Sequence, residues 1–368
     1  MLAGLLLFAM GFEISQQVET SFPKEGLHPQ FGCESSTPNY YYVAGKVDMY
    51  QVLDMWIYLA ALLGLYFLHR WYRERQTVEK LTEKYIFITG CDSGFGYQLA
   101  RQLDARGFQV LAACLTQKGT EQLEKSTSER LQTTFLDVTS TESVEAATQW
   151  VKGCVENKGL WGLVNNAGIA VPQAPNEWLK KDDFAKLINV NLLGMIDVTL
   201  HMLPLVRKAR GRVVNMSSVN GRLVGSGAYS ISKYGVEAFS DTLRRELHPF
   251  QVKVSIIEPG AFTTTILNTM EENFRNTWSK VPSDIKEIYG QQYVESCCKL
   301  HQNLSKGANT NLCLVTDCIE HALMSLYPRT RYSAGWDAKL FFIPLSYMPT
   351  VVSDYVFAHL KPRPAQAV

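Results

Sequence analysis

The chain has 368 residues, 46% of them hydrophobic and 19% charged, against roughly 25% charged in an average globular chain. It is therefore no disordered polymer, and about 150 residues per domain leaves room for one large domain or two ordinary ones. The 36 Lys and Arg against 35 Asp and Glu give a net charge of +1, which lacks the basic excess of a nucleic-acid binder. The cysteines form no CxxC pair and no two His fall at metal-ligand spacing, which argues against a zinc site or a disulfide scaffold and for reduced thiols.

Residues 1–12 are apolar but lack the positively charged start of a secretory signal. The polar stretch that follows has no periodicity, and residues 1–54 read as a weakly ordered N-terminal extension. Met55–Leu68 is apolar and uncharged; as a helix it covers about 21 Å, short of a hydrocarbon core of ~30 Å. Trp56 and Tyr58 mark one end, Trp71 and Tyr72 the other, as interfacial aromatics do. Counted from Trp56 to Trp71 the span is about 23 Å, near the thinner ~27 Å of the endoplasmic reticulum bilayer. Residues 55–72 are thus expected to form a membrane anchor in that bilayer, the alternative being an amphipathic or core helix. Arg70, Arg73 and Arg75 follow the run and place the catalytic part on the cytosolic side by the enrichment of Lys and Arg there.

From Tyr85 short apolar runs alternate with amphipathic stretches. Strands are predicted at Tyr85–Thr89, Gln109–Ala113, Thr134–Leu136, Gly162–Asn165, Arg212–Met216 and Lys253–Glu258, with helices between them, such as Gly96–Arg106 and Tyr229–Leu247. Strands separated by helices form βαβ units, so residues 85–260 predict an α/β, doubly wound parallel sheet of Rossmann type as a single catalytic core. Residues 261–310 read as a substrate lid and 311–368 as a C-terminal helix and apolar tail.

The first predicted strand runs into Gly90-Cys91-Asp92-Ser93-Gly94-Phe95-Gly96, and a helix opens at once. Glycines there allow a tight turn and close approach of a pyrophosphate, whose charge sits on the helix N-terminus. The strand–glycine–helix order supports nucleotide binding; the spacing itself differs from GxGxxG. Further on, Tyr229 and Lys233 stand four apart on one helical face, just after a strand that ends in Ser217-Ser218. A lysine ammonium near a phenol lowers its pKa, and the phenolate can then take a hydroxyl proton as hydride leaves for a nicotinamide. A serine hydroxyl there can bond the substrate oxygen.

In these motifs the sequence resembles the short-chain dehydrogenase/reductase family, whose signature TGxxxGxG stands here as Thr89 through Gly96. The likeness runs from about Met55 to the C-terminus, and the stretches MWIYLAALLGLYFLHRWYRERQ and NKGLWGLVNNAGI resemble its membrane-bound retinol and hydroxysteroid dehydrogenase branch. The residues before Met55 then look like an upstream extension or an alternative start. The resemblance implies a catalytic set of Asn191, Ser218, Tyr229 and Lys233, with Ser218 also touching substrate. It implies cofactor contacts at Thr89, Gly90, Ser93, Gly94, Phe95 and Gly96. Asp137 and Val138 would meet adenine, and Asn165, Ala167 and Gly168 would support the central strand beside the adenine ribose. Lys233 would bond the nicotinamide ribose, Pro259 and Gly260 would flank the nicotinamide, and Thr263 would reach its carboxamide. Ser218 and Tyr229 are one residue closer than the family spacing suggests, so the loop Leu223–Ala228 is expected to be reshaped.

NAD preference rests on an acidic residue at the end of the second strand and NADP preference on a nearby Arg. Cys114 and Leu115 stand there, so neither signal is present, and the missing cation leans the choice to NAD; Thr116 and Lys118 leave NADP open. Ile266, Met270, Phe274 and Trp278 recur every four residues, as a lid over an apolar ligand or as core packing. Leu340–Leu360 is apolar but broken by Pro344 and Pro349, which suits a contact with membrane lipid or a homodimer element better than a span. Two functions follow: a membrane-attached dehydrogenase of small lipophilic steroid or retinoid alcohols, or a non-catalytic nucleotide-binding scaffold. The complete four-residue set favours the first. No metal and no nucleic-acid partner is expected, and no GxSxG or HExxH suggests a hydrolase.

Overall fold

The computed structural model describes residues 49–225 and 227–367. The expected extension lies outside the described residues as far as position 48. The chain divides at Leu62 into two compact units, and helix α1 (Met49–Glu74) runs through that division. From Trp56 to Leu68 the large apolar side chains of α1 are exposed.

The unit from Leu63 onward is built on a sheet. In chain order it comprises β1 (Tyr85–Thr89), α2 (Gly94–Ala105), β2 (Gln109–Cys114), α3 (Gln117–Glu124), β3 (Leu131–Phe135), α4 (Thr141–Val155) and β4 (Gly162–Asn165). Then come α5 (Lys181–Ile188), α6 (Met195–Lys208), β5 (Arg212–Met216), α7 (Gly227–Glu246) and β6 (Lys253–Pro259). The segment expected as a lid carries α8 (Thr265–Asn268), α9 (Met270–Ser279), α10 (Ser283–Tyr289) and α11 (Gln291–Gly307). The chain closes with α12 (Cys313–Met324), β7 (Arg331–Ala334), α13 (Ile343–Ser346) and α14 (Thr350–Leu360).

All seven strands are parallel, in the order β3-β2-β1-β4-β5-β6-β7. Alternate side chains point to opposite faces, so each strand feeds two cores. Ile86, Ile88, Val110, Ala112 and Val214 pack beneath α2 and α12; Phe87, Leu111, Leu163 and Val213 pack against α4, α6 and α7. Burial on both faces explains why the strand sequences are apolar runs without alternation.

Two elements differ from the sequence expectation. β3 starts at Leu131, three residues before the predicted strand, because its outer edge position lets polar Gln132 and Thr133 join the ladder. The seventh strand lies in the segment read as a C-terminal helix and apolar tail, so the sheet has one more strand than the six expected. Four residues with a single large apolar side chain, Tyr332, give no strand signal; pairing with β6 makes the strand.

Among the described residues, Lys181–Lys208 is apolar and long enough for a membrane span by composition. It is a core helix: Leu187, Met202 and Val206 are buried. Its path widens into a π turn at Asn189–Gly194.

Candidate active site

Strand order reverses between β1 and β4, and ligands of such sheets bind in the crevice at the carboxyl ends of the strands on either side of that point. Here the loops after β1, β4, β5 and β6 meet. Gly90 (φ 70°) and Gly94 (φ 60°) take left-handed conformations that side chains with a Cβ disfavour. A Cβ on Gly90 would also come within 2.8 Å of Ala167 Cα. Helix α2 begins at Gly94, and the Ser93 side chain makes no capping bond to it. Its first N–H groups are thus left to an anion, and the turn fits a dinucleotide pyrophosphate.

The residues around this turn hold it in shape. Thr89 Oγ1 accepts hydrogen bonds from the N–H groups of Asn166 and Ala167, each at 3.0 Å, and Asn166 Nδ2 donates to the carbonyls of Thr89 (2.9 Å) and Gly90 (3.0 Å). Asn165 points the other way. Its Nδ2 donates to Thr199 Oγ1 and Asn215 Oδ1, both at 2.8 Å, inside the sheet, so it supports strands and its side chain cannot meet a ligand. Asp137 is engaged locally, accepting from Thr139 N and Oγ1, and buried Val138 packs under Gly194. Cys114 is buried at the end of β2, where burial pushes its thiol up to about 11. Thr263 donates its N–H to Asn309 O at 3.0 Å, while the neighbouring Thr264 lines the central cavity.

Sequence reasoning missed Asp92. Its carboxylate accepts from Leu115 N (2.9 Å), Thr116 N (2.9 Å) and Thr116 Oγ1 (2.7 Å), bringing a negative charge to the end of β2, where Cys114 and Leu115 have none. An Asp inside a glycine turn reads as turn chemistry from sequence, and only the fold brings it across to β2.

The four expected catalytic residues converge. Asn191, in the π turn, donates Nδ2 to Ile169 O (2.8 Å) and Ser232 Oγ (3.0 Å) and accepts from Ile169 N (2.8 Å). Ser232 Oγ donates to Tyr229 O at 2.7 Å, so Asn191 ties the start of α7 to the loop after β4. Ser218 stands close enough to the Tyr229 phenol to pull its pKa down and accepts from Asn220 N at 3.2 Å. Lys233 Nζ, 5.7 Å from the centre of the Tyr229 ring, donates to Met216 O at 2.8 Å.

Electrostatics in the free protein run against the sequence expectation that Lys233 lowers the phenol. Loss of water around the hydroxyl pushes Tyr229 up to about 12, against the smaller pull of Ser218. The same burial pushes Lys233 down to about 8, opposed by Glu237. Glu237 continues the row of Tyr229 and Lys233 four residues on, a signal legible in the sequence and overlooked. Its Oε2 accepts from Arg331 Nη2 at 3.0 Å, and burial holds its carboxyl above the usual range.

A cavity of about 770 Å³ opens over this group. Ser218, Tyr229, Lys233 and Gly168 line it on the sheet side; Met270, Phe274, Leu304, Phe357 and Leu360 line it from the lid and C-terminal helices. Of the lid row, Ile266, Met270 and Phe274 face this cavity, and Phe274 also joins a small core with Trp178, Val281, Val294, Cys297 and Cys298. The row thus both lines the cavity and packs a core.

Comparison with known proteins agrees with this geometry. Residues 84–274 match the family described as short chain dehydrogenase. Human 17-beta-hydroxysteroid dehydrogenase type 6 is 60% identical over 317 residues, covering 85% of this chain and 100% of that protein. Human retinol dehydrogenase 16 is 59% identical over the same shares. Among solved structures, a short-chain dehydrogenase from Streptomyces avermitilis aligns with a TM-score of 0.60 at 27% identity, covering 75% of this chain and 95% of that one. The chain belongs to the short-chain dehydrogenase family, the nicotinamide-dependent alcohol oxidoreductases.

Proposed function

We propose that this protein oxidises a lipophilic alcohol, a 3-alpha- or 17-beta-hydroxysteroid or all-trans-retinol, with NAD. The observation that carries the reading is the cavity: Tyr229 and Ser218 at one side, and apolar lid side chains over the rest. Pockets for such ligands are mostly apolar with few polar anchors, and the two human relatives are named for steroid and retinol substrates.

In this reading Ser218 Oγ holds the substrate oxygen and Tyr229 Oη takes its proton. Lys233, anchored on Met216 O, places positive charge beside the phenolate and offers its remaining N–H groups to a ribose. Asn191 positions both by fixing Ser232 and Ile169. A bound nicotinamide supplies the hydride acceptor. Gly90, Gly94 and Gly96 with the start of α2 hold its pyrophosphate, and Ala167, Gly168, Pro259 and Gly260 line its path. The Asp92 carboxylate, bonded to Leu115 and Thr116, would repel a 2′-phosphate and so supports NAD over NADP.

Membrane attachment in the endoplasmic reticulum, with the catalytic unit in the cytosol, completes the proposal. Its support is the exposed apolar run of α1 and a second exposed set near the C-terminus, including Trp336, Leu340, Tyr347, Val351 and Tyr355. The deciding experiment incubates the purified protein in detergent with NAD and either androstanediol or all-trans-retinol, and follows NADH. Oxidation of at least one is expected; failure with both would sink the substrate reading.

A further inference from the structure

We infer that Asp337, in the loop after β7, is a positioning residue for the nicotinamide end of the cofactor: its carboxylate braces the turn Pro259–Ala261, and its charge favours the oxidised ring over the reduced one. The inference rests on a nicotinamide lying at that turn, as proposed above.

Strand β6 ends at Pro259, which pairs with Ala334 of β7, and Gly260 N donates to Ala334 O at 2.9 Å. Beyond β7 the chain turns back, and the Asp337 carboxylate reaches the end of β6, where its Oδ2 accepts from Ala261 N at 2.7 Å. A Cβ on Gly260 would run into both carboxylate oxygens. Residue 260 must therefore lack a side chain for the carboxylate to sit there. Pro259, Gly260 and Ala261 line the cavity that holds Tyr229 and Lys233, and Asp337 does not. The carboxylate thus supports the cavity wall from behind, with the turn between the two.

The other carboxylate at this end of β6 is matched by cations: Glu258 pairs with Arg222 at 3.3 Å and with Arg331 at 3.5 Å. Asp337 takes its bond from a backbone N–H instead, and no Lys or Arg among the described residues stands in ion-pair range of it. An oxidised nicotinamide ring carries a positive charge that accepting hydride removes. A fixed negative charge close behind the ring's resting place, in a medium less polarisable than water, stabilises the first form more than the second. Weaker retention of the reduced cofactor eases its exchange for the oxidised one after each turnover.

The test is cofactor binding without alcohol. Dissociation constants for NAD and NADH are measured by calorimetry on the full-length protein in detergent, for the wild type, Asp337→Asn and Asp337→Ala. Asparagine keeps an acceptor for Ala261 N but carries no charge. In that variant NAD should bind about fivefold more weakly and NADH as before. Alanine removes acceptor and charge together, so NADH should weaken too, on top of the same change in the ratio of the two constants. A brace without an electrostatic role would weaken both forms alike. An unchanged ratio in Asp337→Asn therefore overturns the inference, as does an NADH affinity that Asp337→Ala leaves intact. A wild type that binds neither form fails the proposed function and this inference with it, whereas one that binds both but oxidises neither alcohol fails the substrate reading alone.

Discussion

Tyr229 and Lys233 are each displaced from their ordinary pKa, in opposite directions and by the same cause. With Tyr229 near 12 and Lys233 near 8, the phenolate needed for oxidation is scarce at neutral pH and grows as pH rises. kcat/KM for oxidation should therefore climb from pH 7, by up to about tenfold per unit, with the slope easing above about 8 as Lys233 loses its charge. A profile flat from 7 to 9 would remove Tyr229 as the base. Tyr229→Phe should cut turnover more than tenfold and leave NAD affinity nearly unchanged, because the glycine turn lies on other elements; Lys233→Ala should damage both. At the cofactor's other end, Leu115→Arg would bring a guanidinium beside the Asp92 carboxylate. A charge-assisted phosphate contact is worth about 1.5–3 kcal/mol, so the NADP-to-NAD preference should rise at least tenfold. If the unmodified protein already prefers NADP at equal concentrations, the role given to Asp92 is wrong.

Among the elements, α12 shows how a buried charge earns its place. Arg212, 4% exposed at the start of β5, donates Nε to Ala322 O (3.1 Å) and Nη2 to Ser325 O (2.6 Å) at the C-terminus of α12. Its guanidinium also lies 4.2 Å from the centre of the Trp161 ring. A cation there meets the negative end of the helix. Arg212→Met would leave those carbonyls unpaired and should lower unfolding stability by about 2–4 kcal/mol, read from urea denaturation; a change under about 0.5 kcal/mol would show that water takes over the bonds. The sequence made β1, β4 and β5 legible because they are buried on both faces and centre on adjacent apolar residues, Ile86–Ile88, Leu163–Val164 and Val213–Val214. It hid β7, whose Arg331 and Ser333 serve Glu237 and Glu258 and so interrupt the pattern. The catalytic residues were legible through motif and order, since Tyr229 and Lys233 need only one helix to meet. Asp92 was not, because its partners Leu115 and Thr116 come from beyond the next helix and strand.

For the molecule as a whole, the proposed membrane attachment carries a prediction about which side of a bilayer receives the catalytic unit. Residues 70–78 are fastened to that unit: Glu74 pairs with Arg329 and is held down to about 2 by it, His321 Nε2 lies 3.0 Å from Glu74 O, and Val78 N donates to Met324 O at 2.8 Å. Asn303-Leu304-Ser305 is an acceptor sequence for N-glycosylation, and Asn303 is exposed on α11. A cytosolic catalytic unit leaves it bare, so treatment of the cell-expressed protein with an endoglycosidase should not change its mobility on a gel. A shift that disappears in Asn303→Gln would put the active site in the lumen.

The small aromatic core under the lid, built around Trp178 and Phe274, shares no buried residue with the two cores of the sheet. The match to the family ends at residue 274, within α9 and before α10 and α11. The glycine turn and the aromatic core of residues 261–310 thus belong to different packing units. On the proposed function, substitutions in residues 261–310 would leave the glycine turn and the Tyr229 cluster undisturbed, and a lineage could exchange one lipophilic alcohol for another while its oxidation machinery stays fixed. Relatives about 60% identical to this chain carry steroid and retinol names side by side, as such a partition of evolutionary constraint would produce.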